Sequence, residues 1–227
     1  MYHKCELNIT LKCNLRCTNC NRCPNLFTQE DTDVTPSQID YFIEQIKGKG
    51  VSTIKVLGGE PLLNPYFTEI YSKLTKAIDN GIFKFLKIDH NHTQVNPITE
   101  SNPNVRWMGK SPRKKKHLPV LWSPLDMGYT IKPNPNCQSI TRCGQSYDSK
   151  GFLPCSPAIA IVKIFKLNHL YKKDWQLEPW GLDEICKHCV MAMSQEWCNE
   201  HLYPINMTPK EALIPTKSYK EMLNGRE

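Results

Sequence analysis

The chain has 227 residues, 40% of them hydrophobic and 22% charged, and 11 are cysteine. That length suits one sizeable core, or a principal domain with a small appendage, and disfavours two full domains. No apolar run reaches the ~18 residues of a membrane span and the first residues lack a signal peptide's apolar stretch, so a soluble cytoplasmic protein is expected. In that reducing setting its cysteines serve as metal ligands more plausibly than as disulfides. The net charge of +7 is most concentrated at Arg113, Lys114, Lys115 and Lys116. This run reads as a solvated loop, or alternatively as a contact for an acidic partner; no aromatic stacking platform accompanies it, which argues against nucleic acid.

Residues 5–11 alternate apolar Cys5, Leu7, Ile9 and Leu11 with polar Glu6, Asn8 and Thr10, the period of a strand, and run directly into a loop carrying Cys13, Cys17 and Cys20. Thr35, Pro36 and Gln38 supply an N-cap, a first-turn proline and a capping-box partner for a helix whose apolar positions are Ile39, Phe42, Ile43 and Ile46, ended by Gly48 and Gly50. A second strand is expected over residues 51–57, closing on Gly58-Gly59-Glu60-Pro61. Asn64-Pro65 opens a second helix with Phe67, Ile70, Tyr71, Leu74 and Ile78 on one face, and Asn80-Gly81 stops it before a third strand over residues 82–88. Strand, helix, strand, helix, strand is the pattern of a parallel α/β sheet, with functional loops at the strands' C-terminal ends. Prolines at 97, 103, 112, 119, 124, 133 and 135 then exclude a long helix, leaving short strands over 105–108 and 118–122. That is too little material for a complete eight-fold barrel.

Cys13, Cys17 and Cys20 form a C-x3-C-x2-C loop. Three thiolates leave one iron of a [4Fe–4S] cluster open, since such a cluster takes about four cysteines. With Gly58-Gly59-Glu60-Pro61 after the next strand, this loop resembles the radical S-adenosylmethionine (SAM) superfamily. The resemblance implies that SAM binds the open iron through its amino and carboxylate groups, and that reductive cleavage releases a 5′-deoxyadenosyl radical. It assigns the SAM amino group to Gly58, Gly59 and Glu60, whose glycines would let backbone approach SAM without a Cβ clash. Asn91, in the Asp89-His90-Asn91-His92-Thr93 run ending the third strand, is the candidate contact for the SAM ribose. His90 and His92 are either exposed loop histidines or groups serving substrate or proton transfer. Asn19 stands where family members usually carry an aromatic residue near the adenine, so adenine packing should differ here. A zinc site is the plainer alternative, and would need a fourth ligand such as Cys23 or His3.

A second group comprises Cys137, Cys143, Cys155, Cys186 and Cys189. Gly151-Phe152-Leu153-Pro154-Cys155, followed by Cys186-Lys187-His188-Cys189, resembles the SPASM and Twitch extensions, which implies an auxiliary [4Fe–4S] cluster. If residues 182–197 are helical, Cys186 and Cys189 share a face. Five thiols then compete for about four positions. Cys155, Cys186 and Cys189 come first, Cys143 next, Cys137 last; a zinc tetrahedron from the same thiols stays open. Cys5, Cys23 and Cys198 read as buried structural thiols.

The expected architecture is therefore α/β: a shortened partial (β/α) barrel of radical SAM type with a small C-terminal cysteine-rich subdomain. Its divisions are a core over 1–125, an auxiliary-cluster domain over 126–203 and a polar, mobile tail over 204–227. The resemblance implies hydrogen abstraction from a small molecule for oxidation, dehydrogenation or another modification, with an electron donor such as flavodoxin or ferredoxin. A peptide maturase is the alternative within the class, disfavoured by the lack of a leader-binding domain before Cys5. The rival from another class is a zinc-stabilised binding protein with an acidic partner.

Overall fold

The alternation of residues 5–11 becomes strand β1 (Lys4–Thr10), which sends Cys5, Leu7 and Ile9 into the apolar core and Glu6, Asn8 and Thr10 to the opposite, also buried, face. This computed structural model describes residues 3–17, 20, 22, 27, 32–99, 102–109, 121–194, 196–197 and 215–224. Asn19, Cys23, Cys198, the basic run at 113–116 and residues 118–120 of the last expected strand lie outside them.

Helix α1 (Pro36–Ile46) begins with the anticipated capping box: Thr35 Oγ1 accepts from Gln38 N–H while Gln38 Oε1 accepts from Thr35 N–H at 2.9 Å. It buries Ile39, Phe42 and Ile46. Strand β2 (Thr53–Gly58) leads through a short turn into helix α2 (Phe67–Asp79), and strands β3 (Phe85–His90) and β4 (Val105–Gly109) follow. Asn64 does more than open α2. Buried, it accepts from Tyr66 N–H at 2.8 Å and donates to the carbonyls of Ile9 at 2.6 Å and Val34 at 3.1 Å, fastening the helix entry to the end of β1. Helix α2 covers β4 through Tyr71 and Phe67, whose rings lie 6.2 and 6.0 Å from that of Trp107.

The second half adds α3 (Gln138–Thr141), the hairpin of β5 (Gln145–Asp148) and β6 (Gly151–Leu153), then α4 (Ala158–Ile164), α5 (Leu182–Ile185) and α6 (Lys217–Asn224). One six-stranded sheet results, in the order β4-β3-β2-β1-β5-β6. The first four strands follow barrel order. The sheet then grows from the other edge of β1, where β5 pairs in parallel, and only β6 is antiparallel. The architecture is thus α/β with a mainly parallel sheet, and the cysteine-rich segment contributes two of its strands. Phe42 of α1 contacts Tyr147 of β5 at 5.1 Å and Phe152 of β6 at 5.9 Å between ring centroids, so one apolar core runs beneath both halves. Among the described residues, no helix is long and apolar enough to cross a membrane.

Three expectations are corrected. Leu121 and Trp122 are not in a strand, because the Leu121 carbonyl accepts from Thr216 N–H at 3.1 Å instead of joining the sheet. The stretch 182–197 is not one helix: α5 passes into short 3-10 turns over Cys186–His188 and Val190–Ala192, with Cys189 extended between them. The described end of the tail is docked, because it supplies partners to buried polar groups. Thr216 Oγ1 accepts from Ser123 N–H at 2.9 Å, Ser218 N–H donates to Asp126 at 2.8 Å, and the Tyr219 hydroxyl donates to the His188 carbonyl at 2.7 Å.

Replacing Thr35 by alanine removes the reciprocal cap and should lower stability by about 1 kcal/mol. A fall in the urea midpoint at unchanged slope is the expected result, with Ser37→Ala near neutral.

Candidate functional site

Beyond the end of the β1–β2 pairing, the backbone contacts continue. Gly59 N–H donates to the Thr10 carbonyl at 2.9 Å and Glu60 N–H to the Lys12 carbonyl at 2.8 Å, which lays the Gly58-Gly59-Glu60 segment along the entrance of the cysteine loop. A Cβ on Gly58, whose φ is +151°, would collide with the Thr10 carbonyl. One on Gly59 would collide with the Lys12 carbonyl and stand 2.7 Å from that of Leu11. The glycines thus make room first for the chain's own backbone, and not only for a ligand.

Glu60 is fully buried and bridges two segments: Oε1 accepts from Leu62 N–H at 3.1 Å and Oε2 from Asn91 N–H at 2.7 Å. Burial raises its pKa, and the two N–H bonds only partly offset this. Asn91 in turn reaches the first cysteine. Its amide donates to Asn14 Oδ1 at 3.0 Å and lies 3.9 Å from Cys13 Sγ. Cys13 Sγ also accepts from Leu15 N–H at 3.4 Å, and Cys20 N–H donates to the Cys17 carbonyl at 3.3 Å. Burial pushes the Cys13 thiol up, and the charges of Cys20, Glu60 and Cys17 all lie near enough to add to that. Cys13, Cys17, Cys20, Glu60 and Asn91 are therefore gathered at the C-terminal ends of β1, β2 and β3. His92 beside them is exposed, at a φ of 61°. His90 is half-buried against Trp107, at 5.7 Å between rings, and its Nδ1 is buried without a hydrogen-bond partner.

The later cysteines sort themselves. Cys155, Cys186 and Cys189 are buried, and Cys137 sits at the start of α3 with its thiol donating to the Met191 carbonyl at 3.4 Å. Burial pushes the Cys155 and Cys189 thiols well up and Cys186 to about 11, and in each case charge on neighbouring members of this foursome adds to the shift. Cys143 stands apart from the foursome. It adjoins Glu6, and burial together with that carboxylate pushes its thiol up to about 11. Cys137 and Cys143 thus lie in different surroundings, because α3 turns the chain between them and delivers Cys143 to β1. Among the described residues, no three His, Cys, Asp or Glu side chains converge as they would on a single metal ion. A cluster makes a different demand, since its thiolates take separate irons.

Two residues missing from the sequence-based set, buried Arg22 and half-buried Lys55, join these centres. Arg22 donates to Glu6 Oε2 at 2.6 Å, to Ser156 Oγ at 2.9 Å and to the Ser156 carbonyl at 2.8 Å. Lys55, on β2, lies 3.6 Å from Glu6 and 3.1 Å from Asp89. Burial alone would raise the Glu6 pKa, but the charges of Arg22 and Lys55 and the hydrogen bonds of Ser156 and Arg22 bring it below the ordinary value. The only sequence signal was a glutamate on a strand face that turned out to be buried.

The family model for the Radical SAM superfamily matches residues 7–106, the segment that carries the first cysteine loop, Gly58-Gly59-Glu60 and Asn91. Residues 7–106 belong to the radical SAM superfamily. Similar curated proteins include a GTP 3',8-cyclase of Lactiplantibacillus plantarum, 39% identical over 88 residues that make up 34% of this chain and 26% of that protein. Another is a GTP 3',8-cyclase of Aquifex aeolicus, 24% identical over 147 residues, 57% of this chain and 46% of that protein. The matched regions thus span between a quarter and a half of those relatives. Among solved structures, BtrN in complex with AdoMet and 2-DOIA is similar at 14% identity and a TM-score of 0.39, over 70% of this chain and 75% of that one. The radical SAM family uses a [4Fe–4S] cluster and SAM, and the three thiols on one loop beside a glycine-lined backbone and buried Glu60 fit them.

Gly59→Ala should push the cysteine loop off its backbone contacts and strip iron from the first site alone, roughly half the total if both sites are filled. Iron analysis after anaerobic reconstitution checks this. Because the Glu6 pKa is lowered in the fold, the stability it contributes is complete above the ordinary value of 4.5 and is lost as pH falls through the folded-state value. Urea midpoints measured on metal-free protein from pH about 6 to about 3 should fall more steeply for the parent than for Glu6→Gln.

Proposed function

We propose that this protein is a radical SAM enzyme that cleaves SAM reductively and abstracts hydrogen from a small molecule. The convergence of Cys13, Cys17 and Cys20 with Gly58-Gly59-Glu60 and Asn91 at adjacent strand ends carries this reading. When bound, the cluster and SAM supply a 5′-deoxyadenosyl radical. The protein's own part is to present three thiolates, to offer backbone and Asn91 polar groups to the SAM amino acid and ribose, and to keep water from the reacting carbon. Glu60 acts as a brace between the second and third strand ends as well as an acceptor.

Cys137, Cys155, Cys186 and Cys189 form the second centre, an auxiliary cluster that accepts an electron from the substrate radical or anchors the substrate. Three buried thiols, with the half-buried Cys137 beside them, favour a bound cation, because a buried thiolate needs positive charge nearby. Cys143 is left as a neutral thiol beside Glu6. An external one-electron donor, flavodoxin or ferredoxin, and the reducing cytoplasm complete the setting. The relatives named GTP 3',8-cyclase are matched over less than half of their own length, so their substrate is not carried over; oxidation or dehydrogenation suits the electron-accepting second centre.

Reconstituted protein should hold about eight irons per chain and release 5′-deoxyadenosine when reduced with SAM. The Cys13/Cys17/Cys20→Ala triple variant should keep about half that iron and make none of the product; Cys137→Ala should lose the other half and Cys143→Ala neither. Tightly bound zinc, with no visible absorption after anaerobic purification, would instead support the zinc-stabilised binding protein.

A further inference from the structure

We infer that Arg22 is a positioning residue that holds the second cysteine centre in place from within the first cysteine segment. The inference rests on the reading of Cys137, Cys155, Cys186 and Cys189 as a metal centre. Arg22 follows Cys20 by two residues, is 5% exposed, and spends both terminal nitrogens on the far half of the chain. Nη1 donates to the Ser156 carbonyl at 2.8 Å, and Nη2 donates to Ser156 Oγ at 2.9 Å and to Glu6 Oε2 at 2.6 Å. Ser156 follows Cys155 directly, and its hydroxyl donates to the same Glu6 oxygen. The Cys155 carbonyl accepts in turn from Ser146 Oγ of β5 at 2.7 Å. The two peptide units that follow this cysteine are therefore pinned, one to the sheet and one to a guanidinium from the other cysteine segment.

A fork of fixed geometry is what this task needs. Arginine's planar guanidinium satisfies a carboxylate, a hydroxyl and a carbonyl at once, whereas a lysine ammonium is a point charge on a flexible stem. Burying the pair is costly in itself, so its return is geometric: it sets one thiolate's approach and the spacing of the two centres. Groups that orient metal ligands from behind typically change metal affinity by roughly 10- to 100-fold when lost.

The test uses the full chain in the Cys13/Cys17/Cys20→Ala background, where only the second centre can hold iron, and reads iron release to a chelator under anaerobic conditions. Arg22→Met should speed release roughly 10- to 100-fold, Arg22→Lys less, and Ser156→Ala less again. The Arg22→Met/Ser156→Ala pair should release no faster than Arg22→Met alone, since the two act through one contact. Lys12→Met, which removes the Lys12–Asp33 pair of the same first segment, should leave release unchanged. Should Arg22→Met fail to fold, the Ser156→Ala and Arg22→Lys rates decide in its place. Parent-like rates in the Arg22 and Ser156 variants, additive effects in the pair, or equal acceleration by Lys12→Met would overturn the inference while the centre stands. A background variant that binds no iron would overturn the second centre, and Arg22's role with it.

Discussion

Everything at the candidate site depends on the close approach of two backbones, Thr10 to Lys12 and Gly58 to Glu60. Their hydrogen bonds prolong the β1–β2 pairing past the regular strands, at a separation that admits no Cβ on Gly58 or Gly59. This contact aims the cysteine loop, because Cys13 follows Lys12 directly. It also places Glu60 where one carboxylate can receive the N–H groups of Leu62 and Asn91. A scaffolding role thus falls on the same three residues that are proposed to bind SAM. The scaffolding role explains why the segment cannot tolerate bulk even where no ligand touches it.

The inner face of the sheet is the second constraint. Strands buried on both faces normally read as continuous apolar runs, yet β1 carries Glu6, Asn8 and Thr10 there. Arg22, Lys55 and Asp89 gather around Glu6, so charge is met by charge within the fold. The cluster joins β1, β2, β3 and both cysteine segments. An open sheet extended at its β1 edge is thereby tied across its middle as well as along its hydrogen-bonded ladders.

Much of this was legible in local pattern. The capping box at Thr35, the amphipathic faces of α1 and α2, the first four strands and the grouping of Cys13, Cys17 and Cys20 depend on residues near one another in sequence. Their periodicities were therefore readable. What escaped was set by partners far away. Leu121 had strand-like neighbours but bonded to Thr216, and the tail looked polar because its contacts are specific hydrogen bonds to Ser123, Asp126 and His188. Arg22 carried no motif at all.

The sequence by itself determined the chemistry on offer: three thiolates on one loop, a glycine-glycine-glutamate at the next strand end, and five further thiols in reserve. Spacing along a chain is enough for that, since a loop of eight residues keeps its cysteines together in any fold. Only the tertiary structure decided which later thiols meet. Strand β5, four residues long, pairs with β1, leaving Cys143 beside Glu6 while Cys137 joins Cys155, Cys186 and Cys189. Strand pairing is a long-range choice, made by burial and charge across the sheet, and no local spacing encodes it.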